Sequence, residues 1–307
     1  MRDAYSAADL IEGGAMFAAL TPPARLAVFG DPVEQSKSPA FQNAALRAAS
    51  IDAQYIRLHI APDELAASLK ALSGAGFVGA NLTHPHKTAS FAAMDDLDPA
   101  AKAIGAVNTV AVENGRLSGF NTDGAGFVRA IREEFFVDVR DLRVMVLGAG
   151  GGAGRAIAVQ CAIEGCERLV LVNRSIEKTT ALAAELASHF RSDRLEGPAD
   201  RLVAIPHEMS ALRAQLAHVD LVVNATTLGM KRSDPPALQQ AWLTPNLMVY
   251  DTVYAGGKTR LVEDAEQAGA RAANGLSMLL HQGALAFEIW FNRPAPLAVM
   301  RAALQSA

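Results

Sequence analysis

The residues Gly148, Ala149, Gly150, Gly151, Gly152 and Ala153 follow the apolar run Arg143–Leu147 and precede Arg155-Ala-Ile-Ala-Val159. A strand, a glycine turn and a helix in that order form a dinucleotide-binding arrangement. Gly148 permits the tight turn, Gly150 lets the backbone approach a pyrophosphate, and Ala153 is small enough for close helix–strand packing. The pyrophosphate would then rest on free N–H groups at the positive end of a helix. The alternative is a glycine turn that only packs. The next strand ends in Asn173-Arg174-Ser175, with Lys178 one turn later. An NAD site usually places a carboxylate at this strand end, against the ribose 2′-hydroxyl. Asn173 and the cationic pair Arg174 and Lys178 suit a 2′-phosphate instead, which predicts NADP as cofactor. Glu177 slightly weakens that positive field. A further strand, Asp220–Asn224, runs into a polar turn where Asn224 and Thr226 are either cofactor neighbours or turn formers and caps.

A second group of polar residues lies earlier in the chain. Ser36-Lys37-Ser38-Pro39 precedes a helix, with Ser38 expected as N-cap and Pro39 as the first helical residue. Two hydroxyls at a positive helix end also suit a carboxylate. Asn81-Leu-Thr83-His-Pro-His-Lys87 follows a buried strand, and Asn108-Thr109 and Asn121-Thr122-Asp123-Gly124 bracket a hairpin. Taken singly, Lys87 reads as a surface lysine and the others as turns. His84 and His86 flank Pro85, but no carboxylate cluster joins them, so no metal is expected.

The elements that must position these residues alternate. Strands are expected at Leu26–Gly30, Tyr55–Ile60 and Val78–Thr83, with helices at Pro39–Ala49 and Pro62–Ser73 between them. This rhythm predicts a mainly parallel sheet. Asn114-Gly115 between Val107–Val112 and Arg116–Phe120 predicts a hairpin. The helix Gly124–Phe135 leaves this region, and a second α/β unit starts at Arg143. It should carry strands at 169–172, 202–205, 220–223 and 247–251, with a helix over 176–190. Ser192–Pro198 reads as a polar loop. The tail, Ser277–Trp290 and Leu297–Gln305, is helical with one apolar face. Residues 1–24 read as an extension with one short helix, Ala7 to Leu20, ended by Pro22-Pro23.

The bulk composition narrows the choice of function. The 307 residues are 50% hydrophobic and 20% charged, enough for a sizeable core, and the net charge of −4 gives no basic surface for nucleic acid. No run approaches the roughly 18 apolar residues of a membrane span, and the acids Asp3, Asp9 and Glu12 interrupt any secretory signal. Cys161 and Cys166 read as small core residues in a reducing cytoplasm.

Taken together, in order, the clusters resemble the shikimate dehydrogenase family across about residues 25–305. The resemblance is carried by Ser36–Pro39, Asn81–Lys87, Ala106–Thr109, Asn121–Gly124, the glycine turn with Asn173-Arg174, Asn224–Gly229, Tyr250-Asp251 and Gly275–Gln282. It implies two α/β domains with a cleft between them: a substrate-binding domain, 25–124 with 276–307, and a Rossmann NADP-binding domain, 125–275, after an extension at 1–24. It implies reversible, NADPH-dependent reduction of 3-dehydroshikimate to shikimate. Ser36 and Ser38 would bind the substrate carboxylate with Tyr254 nearby. Thr83, Asn108, Asp123 and Gln282 would bind ring hydroxyls, and Lys87 with Asp123 would form the catalytic pair. Gly275 and Met278 would lie by the nicotinamide.

Two departures stand out. The turn is one residue longer than the family's common form, and Ser277 replaces a common Gly. Three alternatives stay open: a quinate/shikimate dehydrogenase using NAD or both cofactors, a non-catalytic sensor of the same fold, and another two-domain dehydrogenase such as the folate-linked enzymes. The expected partners are the small-molecule substrate and cofactor, in a monomer or homodimer.

Overall fold

The computed structural model describes residues 4–190, 200–254 and 257–307. The Ser192–Pro198 stretch lies outside them. Contacts divide the chain into two compact units, Met1–Thr122 with Gln282–Ala307, and Asp123–His281.

The first unit runs β1 (Tyr5–Ser6), α1 (Ala7–Ile11), α2 (Ala15–Ala18), β2 (Ala24–Gly30), α3 (Ser38–Ala48), β3 (Gln54–His59), α4 (Leu65–Gly74), β4 (Gly79–Leu82), α5 (His86–Ala89), β5 (Asp96–Leu97), α6 (Pro99–Ile104), β6 (Thr109–Glu113) and β7 (Arg116–Phe120). These make a seven-stranded sheet in the order β1-β3-β2-β4-β6-β7-β5. It is parallel from β1 to β4, while β6 runs antiparallel to both β4 and β7. The expected hairpin joins β6 to β7, and Asn114 and Gly115 both have positive φ, 51° and 80°. That pair of values matches the twist of adjoining strands.

The single helix expected over Ala7–Leu20 is two helices, broken at Gly13-Gly14, and β1 precedes them. Nor is this segment a loose extension. Tyr5 pairs with Leu58 in the sheet, and Tyr5, Leu10 and Phe17 are buried with Leu58, Leu69 and Phe77 in one core. Phe17 meets Tyr5 and Phe77 edge to face at 5.2 and 5.4 Å, a favoured aromatic geometry.

The second unit contains α7 (Asp123–Phe135), β8 (Arg143–Leu147), α8 (Gly152–Glu164), β9 (Arg168–Asn173), α9 (Ile176–Leu186), β10 (Leu202–Pro206), α10 (Met209–Leu216), β11 (Leu221–Asn224), β12 (Met248–Asp251), α11 (Arg260–Gln267) and β13 (Arg271–Asn274). The long α12 (Leu276–Phe291) follows, and α13 (Leu297–Gln305) returns to pack on α3 in the first unit. The strand order β10-β9-β8-β11-β12-β13 is parallel throughout. It is the doubly wound order of dinucleotide-binding sheets, which reverses between β8 and β11. Val144, Val146, Leu169, Leu171, Val222 and Val249 are all buried, as strands covered on both faces require.

Candidate active site

In the first unit, a chain of neutral hydrogen bonds crosses the sheet end. The Tyr55 hydroxyl donates to Asn81 Oδ1 at 2.8 Å, and Asn81 Nδ2 donates to Thr109 Oγ1 at 3.0 Å. Thr109 Oγ1 donates to Asn108 Oδ1 at 2.9 Å, which also accepts the Thr122 N–H at 2.8 Å. Asn108 Nδ2 donates to Thr122 Oγ1 at 2.9 Å and to Gln282 Oε1 at 3.4 Å. Tyr55, Asn81, Asn108, Thr109 and Thr122 are buried. A satisfied network of this kind fixes the orientation of each amide in it. Asn108 and Gln282, far apart in sequence, are thus brought together.

Ser36 and Ser38 sit in the turn before α3. The helix includes Ser38, and Lys37 occupies the cap position without a side-chain bond. The expected Ser38 cap is therefore corrected: Ser36 Oγ accepts the Ser38 N–H at 3.3 Å, so the serine two residues earlier covers the helix start. The Ser38 hydroxyl lies near that of Tyr55, whose pKa is pushed well up by burial. Thr83 is fixed through its backbone, its N–H donating to the Phe29 carbonyl at 2.9 Å and its carbonyl accepting from the His86 N–H at 2.8 Å.

Lys87 lies in α5, half-buried, and its carbonyl accepts the Val107 N–H at 2.8 Å. Beside it, His86 is a buried member of α5. Its Nε2 donates to the Ile60 carbonyl at 2.7 Å, and burial lowers its pKa. It anchors the short helix as a neutral imidazole. Among the described residues no group of three or more His, Cys, Asp or Glu side chains is placed to hold a metal ion.

In the second unit, Asp123 is the buried first residue of α7. The glycine turn lies at the point where the strand order reverses. Gly148 has φ +84°, and a Cβ there would stand 2.9 Å from both the Ala225 carbonyl oxygen and Thr226 Cγ2. The turns after β8 and β11 therefore touch at the crevice. Buried Ala149 leads to Gly150, where a Cβ would meet Asn173 Nδ2 at 2.8 Å and Lys178 Cβ at 3.0 Å. This brings the turn and the end of β9 together. A Cβ on Gly152 would meet nothing within 4 Å, and no side chain caps α8 at Gly151. The first-turn N–H groups of this helix, with no side-chain cap at Gly151, suit an anion.

Ala153 does not have the packing role expected of it. A Cβ at Gly154 would lie 2.1 Å from the Gly148 carbonyl oxygen, whereas Ala153 is only half-buried. The extra residue in the turn moves the close-packing position one step along. Asn173 Nδ2 donates to the Ser175 carbonyl at 3.2 Å, and Arg174 and Lys178 are exposed. Ser175 Oγ donates to Glu177 at 2.7 Å, and that bond lowers the Glu177 pKa.

The turn-former reading describes the contacts of Asn224 and Thr226. Asn224 Oδ1 accepts both the Thr226 N–H at 3.1 Å and the Thr226 hydroxyl at 2.7 Å. Asn224 Nδ2 donates to the Leu228 carbonyl at 3.0 Å and to Asp251 Oδ1 at 2.9 Å. Asp251 also accepts from Thr259, the N-cap of α11, at 2.6 Å and from the Val253 N–H at 3.1 Å. Burial raises the Asp251 pKa against these bonds. The Tyr250-Asp251 pair is thus a structural knot that ties the loops after β11 and β12. On its other side, Tyr250 Oη lies 3.0 Å from Ser277 Oγ and accepts the Met278 N–H at 3.0 Å. A Cβ at Gly275 would come within 2.0 Å of the Thr252 carbonyl oxygen, so this glycine is required by packing. Tyr254 is half-buried, with a raised pKa from burial.

Sequence reasoning missed Tyr55 and Gly154. The extra glycine was a signal for Gly154. Tyr55 gave none, since it read as an ordinary strand residue.

Three family models match: shikimate dehydrogenase substrate binding domain over 28–110, shikimate / quinate 5-dehydrogenase over 130–241, and shikimate 5'-dehydrogenase C-terminal domain over 275–305. The chain is 43% identical to shikimate dehydrogenase (NADP(+)) of Symbiobacterium thermophilum, over 92% of this chain and 94% of that one. It is 40% identical to the enzyme of the same name from Methanopyrus kandleri, over 90% and 93%. Among solved structures, shikimate 5-dehydrogenase of Thermus thermophilus in complex with NADP(H) and shikimate matches with a TM-score of 0.80. That match has 33% identity and covers 92% of this chain and 99% of that one.

Proposed function

The chain belongs to the shikimate dehydrogenase family, and we infer from its site that it interconverts 3-dehydroshikimate and shikimate with NADP. The observation that carries the reading is the buried network ending in Asn108 and Gln282. It presents neutral, oriented amides, which suit the ring hydroxyls of a polyol acid. Thr83 and Asp123 join them in this reading, while Ser36 and Ser38, with Tyr254, take the carboxylate.

The turn fits a dinucleotide, because Gly152 leaves open space at the start of an uncapped helix. Gly148 to Ala153 would hold the pyrophosphate, Asn173, Arg174 and Lys178 the 2′-phosphate, and Gly275 and Met278 the nicotinamide end, with Asn224 and Thr226 shaping the adjoining turn. When bound, the cofactor supplies or accepts the hydride. As the ketone carbon gains hydride, its oxygen gains negative charge. The Lys87 ammonium donates a hydrogen bond to that oxygen and then the proton, giving the hydroxyl. Asp123 is assigned in this reading as the other member of the catalytic pair. In the oxidative direction Lys87, having released its proton, takes one from the hydroxyl.

No helix among the described residues is long and apolar enough to cross a membrane. Cys161 and Cys166 are buried free thiols, the latter pushed up to about 12 by burial, as suits a reducing cytoplasm. The protein works there as a monomer or homodimer, without nucleic acid or membrane.

Initial rates with shikimate and quinate, each with NADP and NAD, test the assignment. Shikimate with NADP should exceed every other pairing in kcat/KM by about tenfold or more, the scale of a lost charge-assisted contact. Absence of NADP-linked turnover of shikimate would overturn it.

A further inference from the structure

Arg57 has no part in the roles above. It lies on β3 two residues after Tyr55, so both side chains leave the same face of the strand. Its Nε and Nη2 donate to the Ser36 carbonyl, at 3.1 and 2.6 Å, across 21 residues of sequence. Two arms of one guanidinium on a single carbonyl hold that peptide firmly.

The acids of the same turn are engaged elsewhere. Asp31 Oδ1 lies 2.9 Å from His59 Nε2, Glu34 Oε1 lies 3.7 Å from His59 Nδ1, and Glu34 Oε2 accepts the Val33 N–H at 3.1 Å. Among the described residues no carboxylate pairs with Arg57, so its charge is not cancelled locally. Burial pushes the Tyr55 pKa up, and the charge of Arg57 draws it down in turn, with Ser38 near the same hydroxyl. In a trans peptide the N–H points opposite to the carbonyl. Polarising the Ser36 carbonyl therefore strengthens the Lys37 N–H as a donor on the far side. That N–H makes no hydrogen bond among the described residues.

We propose that Arg57 is a positioning residue for the substrate carboxylate, fixing the Ser36–Ser38 turn through the Ser36 carbonyl and lending positive charge to a set of neutral hydroxyls. The proposal rests on the assignment of Ser36 and Ser38 to the carboxylate.

The test compares Arg57→Ala, Arg57→Gln and Arg57→Lys in the whole protein, with shikimate and its neutral methyl ester as substrates. Arg57→Ala should raise the KM for shikimate about tenfold or more, as expected when a bond involving a charged group is lost. Its kcat and its KM for NADP should stay within about twofold. The ester should lose far less than the acid. Arg57→Lys should recover part of the loss, and Arg57→Gln, which keeps a donor but no charge, less. Should Arg57→Ala fail to fold, the Gln and Lys variants carry the comparison. An unchanged shikimate KM in the folded variants, or equal losses for acid and ester, overturns the role of Arg57. A wild-type protein that does not oxidise shikimate overturns the parent assignment instead, so the two failures are distinguishable.

Discussion

In the first unit the candidate site is a set of side chains that hold one another: Tyr55 to Asn81, Asn81 to Thr109, Thr109 to Asn108, Asn108 to Gln282. In the second it is largely a lack of side chains, a turn in which Gly148, Gly150 and Gly154 let backbone lie against backbone or the end of β9. The first should fail when atoms are removed, and the second when atoms are added. The contrast follows the ligands: ring hydroxyls need directed partners one by one, whereas a pyrophosphate is met by a row of N–H groups that any side chain would obstruct.

The largest effect should come from removing a functional group in the first unit. Lys87→Ala is expected to lower kcat by about 100- to 10,000-fold, the range for loss of a general acid. Its melting temperature and NADP affinity, measured by calorimetry and fluorescence titration, should stay near wild type. Loss of both together would mean that Lys87 supports structure rather than chemistry.

Next is the addition of one methyl group in the second unit. Gly154→Ala places a Cβ where the Gly148 carbonyl oxygen stands at 2.1 Å, so the turn must move. A loss of about 1–3 kcal/mol of stability is expected, as for other overpacked positions, together with weakened NADP binding. Gly152→Ala, with open space around its Cβ, should leave the melting temperature alone. Equal behaviour of the two variants would remove the contrast between the units.

The smallest effect concerns the anchor beneath Lys87. Burial lowers the His86 pKa in the folded protein, while unfolding restores it to about 6.5. The unfolded chain therefore binds the proton more readily. The contribution of His86 is complete above that value and is lost as pH falls from there through the folded-state pKa. The melting temperature should drop between pH 7.5 and 5.5, and His86→Gln should shrink that drop by an amount worth about 1 kcal/mol or less. Parallel pH curves for the two proteins would show that His86 does not titrate on unfolding.

Much of this was legible in the sequence, for local reasons. Apolar runs bounded by glycine or polar turns located β2, β3, β4, β8, β9 and β11, and Asn114-Gly115 marked its hairpin through the positive φ values that two-residue turns demand. What was not legible depends on partners distant along the chain. Strand β13 is the short, unremarkable Arg271–Asn274 and exists because β12 lies beside it. Residues 4–24 look like a loose lead-in until β3 supplies a strand to pair with Tyr5-Ser6 and the core accepts Phe17. Asn224 and Thr226 left two readings open because a polar turn at a strand end serves ligand and backbone equally well. Their mutual bonds and the tie to Asp251 account for the backbone role.

The first sheet ends on both sides in strands of only two residues, Tyr5–Ser6 and Asp96–Leu97. Long, bare strand margins are templates on which neighbouring molecules add and fibrils grow. Here Tyr5 and Ser6 cover Leu58 and His59, and Asp96, itself exposed, sets a charge on the opposite margin, where Arg116 joins it at 2.8 Å. Among the described residues, the borders of this sheet thus offer little bare strand for edge-to-edge pairing, through residues that take no part in turnover.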